Sequence, residues 1–221
     1  MAIDYQLQVG PPSASYANGA PTFLRGGDLG EQVMLSGGGD YQEMTRRGYV
    51  FTARSGAAAA IPVPATTGVC PTLWNQATSG KLVIIYKINL GVAAVGTPVL
   101  SSLVLCQTTG TGDAALAAAP IVTFTNIATI CNLIGKPAGR TRFANAAVTF
   151  VAIPTVIMDL GHGHWLEGAA ATGAQATWEI DMKGLIVIPP GNAVQVCSLA
   201  ATSTTYWTSI VFAEIPVPPG I

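Results

Sequence analysis

Alternation of apolar and polar residues predicts β-strands along most of this chain. The clearest pattern spans residues 176–182, where every second side chain is apolar and the side chains between them are mostly charged. A strand with this pattern has one buried face and one exposed face, with Trp178, Ile180 and Met182 opposed to Glu179, Asp181 and Lys183. It is typical of a half-buried strand in an antiparallel sheet.

A second strong strand pattern spans residues 81–92, with apolar side chains at a two-residue period: Ile84, Tyr86, Ile88 and Leu90. Further strands are predicted at 48–54, 99–106, 121–130, 147–153, 155–160, 185–188, 193–199 and 204–215. Helix signals are confined to two short alanine-rich runs, 57–60 and 114–119, each followed closely by proline. Eight to ten strands separated by turns predict an all-β fold: a jelly-roll-like β-sandwich over residues 46–221.

The first part of the chain lacks this periodicity. Residues 1–45 contain a Pro-Pro pair at 11–12 and two glycine clusters at 26–27 and 37–39. We therefore predict an extended N-terminal arm over residues 1–45. An arm without its own core is either held against a neighbouring molecule or folded back over its own domain.

Charge is scarce: 10% of the residues are Asp, Glu, Lys or Arg, against roughly 25% in an ordinary soluble domain. Such a β-rich chain is expected to cover much of its surface with copies of itself or with a larger body. The net charge of −1 argues against nucleic-acid binding. The uncharged stretch at 114–135 is interrupted by Pro120, Asn126 and Asn132, which favours strands and a loop over a membrane helix.

The four cysteines, at 70, 106, 131 and 197, are too far apart in sequence to form a CxxC metal or redox pair. We expect four buried free thiols in a chain made in a reducing cytosol. The first ten residues contain no basic and apolar signal-peptide pattern, so no secretory signal is expected.

The only two histidines lie in one short run. His162 and His164 would share a face of a strand, and Glu167 could add a third metal ligand. This run resembles the first metal motif of the cupins, which are also jelly rolls, and the Pro-Pro-Gly turn at 189–191 resembles the turn of their second motif. The histidine that cupins need after that turn is absent, since Val194 stands in its place. We therefore expect no metal or other cofactor and keep a cupin-like metalloenzyme as an alternative.

Other catalytic patterns are equally weak. The chain has no GxSxG nucleophile motif and no phosphate-binding GxxxxGK[ST] loop. Two carboxylate pairs are conceivable for a glycosidase, Asp159 with Glu167 and Glu179 with Asp181. Glu179 and Asp181 fall on the exposed face of a strand, where charge is expected anyway. We expect no catalytic residues and no enzyme activity.

Charged residues in or beside the arm are the best candidates for binding a partner: Arg25, Asp28, Glu31, Arg46, Arg47 and Arg54. Arg140 and Arg142 lie in a glycine-containing loop. Arginine suits pairs with a partner's carboxylates because its planar guanidinium binds them through two parallel hydrogen bonds. The alternative is ordinary solvated surface charge.

Several runs carry a family resemblance. Residues 25–56 (RGGDLGEQVMLSGGGDYQEMTRRGYVFTARSG), 61–64 (IPVP) and 70–75 (CPTLWN) resemble small structural proteins encoded in tailed-phage morphogenesis regions. Residues 184–200 (GLIVIPPGNAVQVCSLA) and 204–216 (TTYWTSIVFAEIP) are similar to the last hairpins of phage jelly-roll capsid-decoration, or cement, proteins and fibre-head domains.

The resemblance implies a homotrimer on the outside of an icosahedral phage head, assembled in the host cytoplasm. In such proteins the trimer bridges neighbouring major capsid subunits, often with an N-terminal arm. A tail or fibre component that binds a host receptor is the alternative within the same resemblance.

Overall fold

A computed structural model of the chain describes residues 41–94, 101–108, 129–145, 147–163, 177–201 and 203–217. The chain divides into two units, Met1–Glu43 and Met44–Ile221, and nearly all of the described residues belong to the second. The described part contains one short helix, α1 (Gln42–Arg46), a 3-10 turn at Ala77–Ser79, and thirteen strands joined by turns and loops. The predicted arm lies outside the described residues apart from 41–45.

The described strands range from two to fourteen residues in length. They are β1 (Val50–Arg54), β2 (Ala59–Ala60), β3 (Thr67–Val69), β4 (Thr72–Asn75), β5 (Lys81–Ala94), β6 (Ser101–Gln107), β7 (Ile130–Cys131), β8 (Arg142–Ala144), β9 (Ala147–Thr149), β10 (Thr155–Gly163), β11 (Thr177–Ile188), β12 (Asn192–Ser198) and β13 (Thr205–Pro216).

Two antiparallel sheets form the body of the domain. The first has the order β11-β5-β13-β1-β7, with β2 also paired to β13, and the second has the order β10-β6-β12-β4-β8. Eight of these strands have the order of a jelly roll, with the last strand of the chain inserted between the first and third of them. The predicted jelly-roll-like β-sandwich is therefore confirmed. A short ribbon, β3-β9, accompanies the two sheets.

The long strand β5 matches the predicted strand at 81–92, but its apolar face changes side at Tyr86. Val83 and Ile85 are buried before this residue, whereas Ile88 and Leu90 are buried after it. The register with β13 shifts at the same point, so Tyr86 is an extra residue, as in a β-bulge. The simple two-residue period from Ile84 to Leu90 is thus interrupted.

The predicted segments 176–182 and 185–188 form one strand, β11, whose side chains alternate between sheltered and exposed as expected. A register shift against β5 separates the two halves. At this shift Lys183 and Gly184 have left-handed backbone angles, with φ values of 47° and 80°. A side chain at Gly184 would also lie 3.2 Å from Ile84 Cγ2, so only glycine fits without strain.

The core lies between the two sheets and consists mainly of aliphatic residues, with a few aromatic rings. Phe51 and Phe212 stack within it, with ring centroids 5.9 Å apart. The opposite face of the second sheet is also buried in part, where Trp74 and Ala193 pack with Ala144, Val148 and Phe150. The β8–β9 segment therefore covers part of this outer face.

Candidate functional site

A basic cleft of about 320 Å³ opens beside the start of β1 and the loop that precedes β8. Four cationic residues are among the described residues that line it: Arg47, Lys81, Lys136 and Arg140. The one acidic residue among them is Glu214 of β13. The sequence places these residues far apart, and the fold brings them together because β13 lies beside β1.

The Glu214 carboxylate is buried, with the residue only 4% exposed, and it is fully engaged by the loop. The backbone N–H of Thr141 donates to Glu214 Oε1 at 2.7 Å, and that of Arg140 donates to Oε2 at 3.1 Å. A buried carboxylate is stable only with such partners. Glu214 therefore fastens the loop to β13 and is not itself available to a ligand.

Gly139 allows this close approach of the loop. A β-carbon at this position would collide with the Glu214 carboxylate and would lie 3.0 Å from Thr129 Oγ1. The loop can therefore wrap around the carboxylate only with glycine here. With its backbone fixed in this way, the loop carries Lys136 and Arg140 at the cleft.

The structure brings together some of the predicted partner-binding residues and separates others. Arg47 lines the basic cleft with Arg140, while Arg46 is exposed at the end of α1. Arg54, at the end of β1, lies outside the cleft, with its guanidinium carbon 5.7 Å from the centroid of the Trp207 ring. The remaining three predictions, Arg25, Asp28 and Glu31, lie outside the described residues.

Sequence reasoning missed three members of the cleft: Lys81, Lys136 and Glu214. Lys136 and Arg140 flank a Pro-Ala-Gly run, which signals a loop but does not say what the loop packs against. Glu214 is the only charged residue of the mostly apolar strand β13. This pattern could have identified it, because a charge in a buried strand must have a partner.

A second cleft, of about 280 Å³, lies beside β10 and β11. We call it the apolar cleft after its exposed aliphatic side chains, although Gln107, Thr108 and Asn192 also line it. Ile157, Leu185 and Val187 line it and are exposed by 37%, 70% and 48%. In the described part of the chain, β10 and β11 are the outermost strands at this end of the two sheets. The strand pattern at 185–188 was predicted, but its exposed apolar face was not.

Three of the four cysteines meet on the outer face of the second sheet. Cys70, Cys106 and Cys197 form a buried cluster with Val104. All four cysteines are free and buried, as predicted. The Sγ atoms of Cys70 and Cys197 are 3.8 Å apart, and Gln195 Nε2 donates to Cys197 Sγ at 2.8 Å.

This environment holds two of the thiols in their protonated form. The hydrogen bond with Cys197, followed by burial, raises the pKa of the Cys106 thiol. The hydrogen bond with Cys106 lowers the pKa of Cys197, but the contact with Cys70 and burial outweigh it and raise that pKa to about 12. Neutral thiols are poor nucleophiles, so both are slow to react at neutral pH.

Residues considered for metal binding or hydrolysis are only partly described. His162 lies on β10 opposite Ser102, whereas His164 and Glu167 lie outside the described residues. Val194, which stands where a cupin would have a histidine, is buried in the core. Within the described ranges, no group of three or more His, Cys, Asp or Glu residues is arranged to hold a metal ion.

The carboxylates of β11 lie on the exposed face, as predicted. Glu179 forms an ion pair with Lys87, and Asp181 accepts a hydrogen bond of 3.2 Å from the backbone N–H of Lys183. Both residues therefore have local partners on the strand surface. Asp159 accepts a similar hydrogen bond of 2.8 Å from the backbone N–H of Gly161.

Comparison with models of known protein families finds no match, and comparison with curated proteins finds none either. Among the helical residues that the structure describes, none belongs to a helix with the length and apolar character needed to cross a membrane.

Proposed function

We propose that this chain is a structural virion protein that decorates a phage capsid and stabilises it by bridging major coat subunits as a homo-oligomer. The observation that carries the proposal is the exposed apolar surface at one edge of a jelly roll, centred on Leu185. The resemblance of residues 25–56, 184–200 and 204–216 to phage structural proteins supports it. The homotrimeric state is the one that this resemblance implies.

The apolar cleft is the proposed contact between copies. Apolar surface at the outer strands of a sheet is unfavourable to leave in water, and it promotes non-specific aggregation with other chains. Burying Ile157, Leu185 and Val187 against another copy removes this surface from solvent and contributes favourable free energy. The low overall charge of the chain is consistent with a protein that works in an assembled form.

The basic cleft is the proposed contact with the coat. Its four cationic residues share the cleft with a single carboxylate, that of Glu214, among the described lining residues, and this carboxylate already has two backbone donors. The cleft therefore favours carboxylates from a partner. Arg47 and Arg140 suit this role because guanidinium groups form paired hydrogen bonds with carboxylates. Complementary charge of this kind sets the partner and the orientation more than the total affinity.

Stabilisation of the shell then follows from mass action. A protein that binds the assembled coat and not its dissociated subunits shifts the equilibrium toward the shell, in proportion to its occupancy. Neither contact requires a chemical step or a cofactor.

The deciding experiment measures the copy number of this chain in purified virus particles by quantitative mass spectrometry against the major coat protein. A ratio near one-to-one, or a simple fraction of it, supports a decoration protein. A handful of copies per particle assigns the chain to the tail or fibre. Its absence from particles overturns the virion proposal and returns attention to the region of His162 and His164.

A further inference from the structure

The pairing of β4 with β12 places two distant cysteines side by side. Thr72 lies opposite Gln195, and the backbone N–H of Val196 donates to the carbonyl of Pro71 at 3.0 Å. Continuing this antiparallel register by one residue sets Cys70 directly opposite Cys197. The two residues are 127 positions apart in sequence, and their Sγ atoms are 3.8 Å apart.

The strand register implies a backbone separation that a disulfide can span. Opposite residues in an antiparallel ladder alternate between hydrogen-bonded and non-hydrogen-bonded pairs. Pro71 and Val196 form the hydrogen-bonded pair, so Cys70 and Cys197 form the next, non-hydrogen-bonded one. Cα atoms in such pairs are about 4.5 Å apart, within the range of roughly 4.4–6.8 Å found across disulfides. Rotation of the side chains is enough to bring the sulfur atoms into bonding distance.

The other two cysteines fit less well. Cys106 lies opposite Gln195 on β6, which makes it a diagonal neighbour of Cys197. Diagonal positions on adjacent strands are about 7–8 Å apart, beyond the usual disulfide range. Cys131 lies in the first sheet, where its Sγ donates to the carbonyl of Gly48 at 3.7 Å.

We propose that Cys70 and Cys197 form a disulfide when the chain folds in a medium that contains a small-molecule disulfide such as oxidised glutathione, because both thiols are buried once folding is complete. One thiol first attacks the glutathione disulfide and releases one glutathione. The second thiol then attacks the mixed disulfide and releases the other. Two cysteine thiols lose two electrons and two protons, one S–S bond forms, and one oxidised glutathione becomes two reduced molecules.

The bond would join the end of β12 covalently to the segment just before β4, two parts of the second sheet that are 127 residues apart in sequence. It closes a long loop, which restricts the unfolded chain far more than the folded one. The folded protein would therefore become more resistant to heat after oxidation. This inference does not depend on the proposed virion role, since it concerns the chain wherever it folds in contact with such an oxidant.

The test starts with the reduced full-length protein, which is refolded from urea in a glutathione redox buffer so that the thiols can react before burial. Non-reducing peptide mapping by mass spectrometry should show one peptide pair linked through Cys70 and Cys197. The unfolding midpoint should rise by about 5–15 °C and return to its initial value after reduction with dithiothreitol.

A matched pair of variants separates this bond from a general effect of oxidation. Cys70→Ala should abolish the rise in midpoint, whereas Cys131→Ala should retain it, because Cys131 lies outside the cluster. The peptide map of the unmodified protein decides the matter even if a variant fails to fold. Free thiols, glutathione adducts alone, or a link through Cys106 after refolding would overturn the proposal.

Discussion

The carboxylate of Glu214 on β13 accepts a hydrogen bond of 2.7 Å from the backbone N–H of Thr141, which lies 73 residues earlier in the chain. The neighbouring N–H of Arg140 bonds the other oxygen of the same carboxylate. This contact joins the loop before β8 to the first sheet and sets the backbone that carries Lys136 and Arg140. A buried structural interaction therefore shapes the exposed basic cleft.

We expect Glu214→Ala to lower the free energy of unfolding by about 2–4 kcal/mol, because two buried backbone donors lose their charged acceptor. Glu214→Gln should cost less, since one amide oxygen remains to accept. Glu179→Ala is the matched control: its ion pair is exposed, so its loss should cost less than about 1 kcal/mol. Urea unfolding of the three variants measures these differences, and equal losses at Glu214 and Glu179 would contradict the anchoring role.

Gly139→Ala should also destabilise the domain, by about 1–3 kcal/mol, because the new methyl group collides with the Glu214 carboxylate. The carboxylate cannot move aside without losing its hydrogen bonds. In the double variant with Glu214→Ala the loss should be smaller than the sum of the single losses. Gly91→Ala serves as the control, since its nearest neighbour, Thr177 Oγ1, would be 4.0 Å away. Additive losses would show that the two residues act separately.

Leu185→Lys should weaken self-association by at least about tenfold, because burial of one leucine side chain contributes about 1.5–3 kcal/mol. Light scattering coupled to size-exclusion chromatography should show a shift toward the monomer. Ile134→Lys is the control, because Ile134 is 91% exposed and lies outside the apolar cleft. A protein that remains in the same assembled state after Leu185→Lys would exclude this cleft as the contact.

Reversal of charge in the basic cleft should weaken binding to coat particles by about tenfold or more and reduce its dependence on salt. The combined variant Lys136→Glu and Arg140→Glu leaves the backbone donors to Glu214 in place. Arg54→Glu provides the comparison, since Arg54 lies outside the cleft. Co-sedimentation with particles that lack this protein measures the binding, and equal effects of the two changes would remove the special role of the cleft.

Burial raises the pKa of Tyr206, which is 1% exposed, above its ordinary value of 10.0. The folded protein therefore keeps the phenol protonated at a pH where the unfolded chain has already lost that proton. The contribution of Tyr206 to stability is complete below about pH 10 and falls above it, by up to about 1.4 kcal/mol per pH unit. Tyr206→Phe should therefore show a smaller loss of unfolding free energy above pH 10 than the unmodified protein. Urea unfolding at a series of pH values, with reductant present, measures this difference. Identical pH profiles for the two proteins would contradict this assignment.

The sequence predicted the long strands of the described core, because a two-residue period is a local property of the chain. It missed the short strands β3, β4 and β8 and gave a helix signal at 57–60, where β2 lies. The pattern at 176–182 gave the correct buried and exposed faces of β11. The period at 81–92 identified β5 but not the bulge at Tyr86, since a bulge depends on how the neighbouring strand is paired. Of the predicted partner-binding residues, Arg47 reached the basic cleft, whereas Arg54 packs beside Trp207.

Amino-acid sequence alone determined the all-β class of this protein, its low charge and the burial of its four thiols, because periodicity and composition are carried by neighbouring residues. Tertiary structure alone decided that Glu214 holds the loop at Thr141 and that Cys70 meets Cys197. These contacts join residues that are 73 and 127 positions apart. Strand order and strand register create such pairs, and neither can be predicted from a short stretch of sequence, because both depend on which distant segments pair.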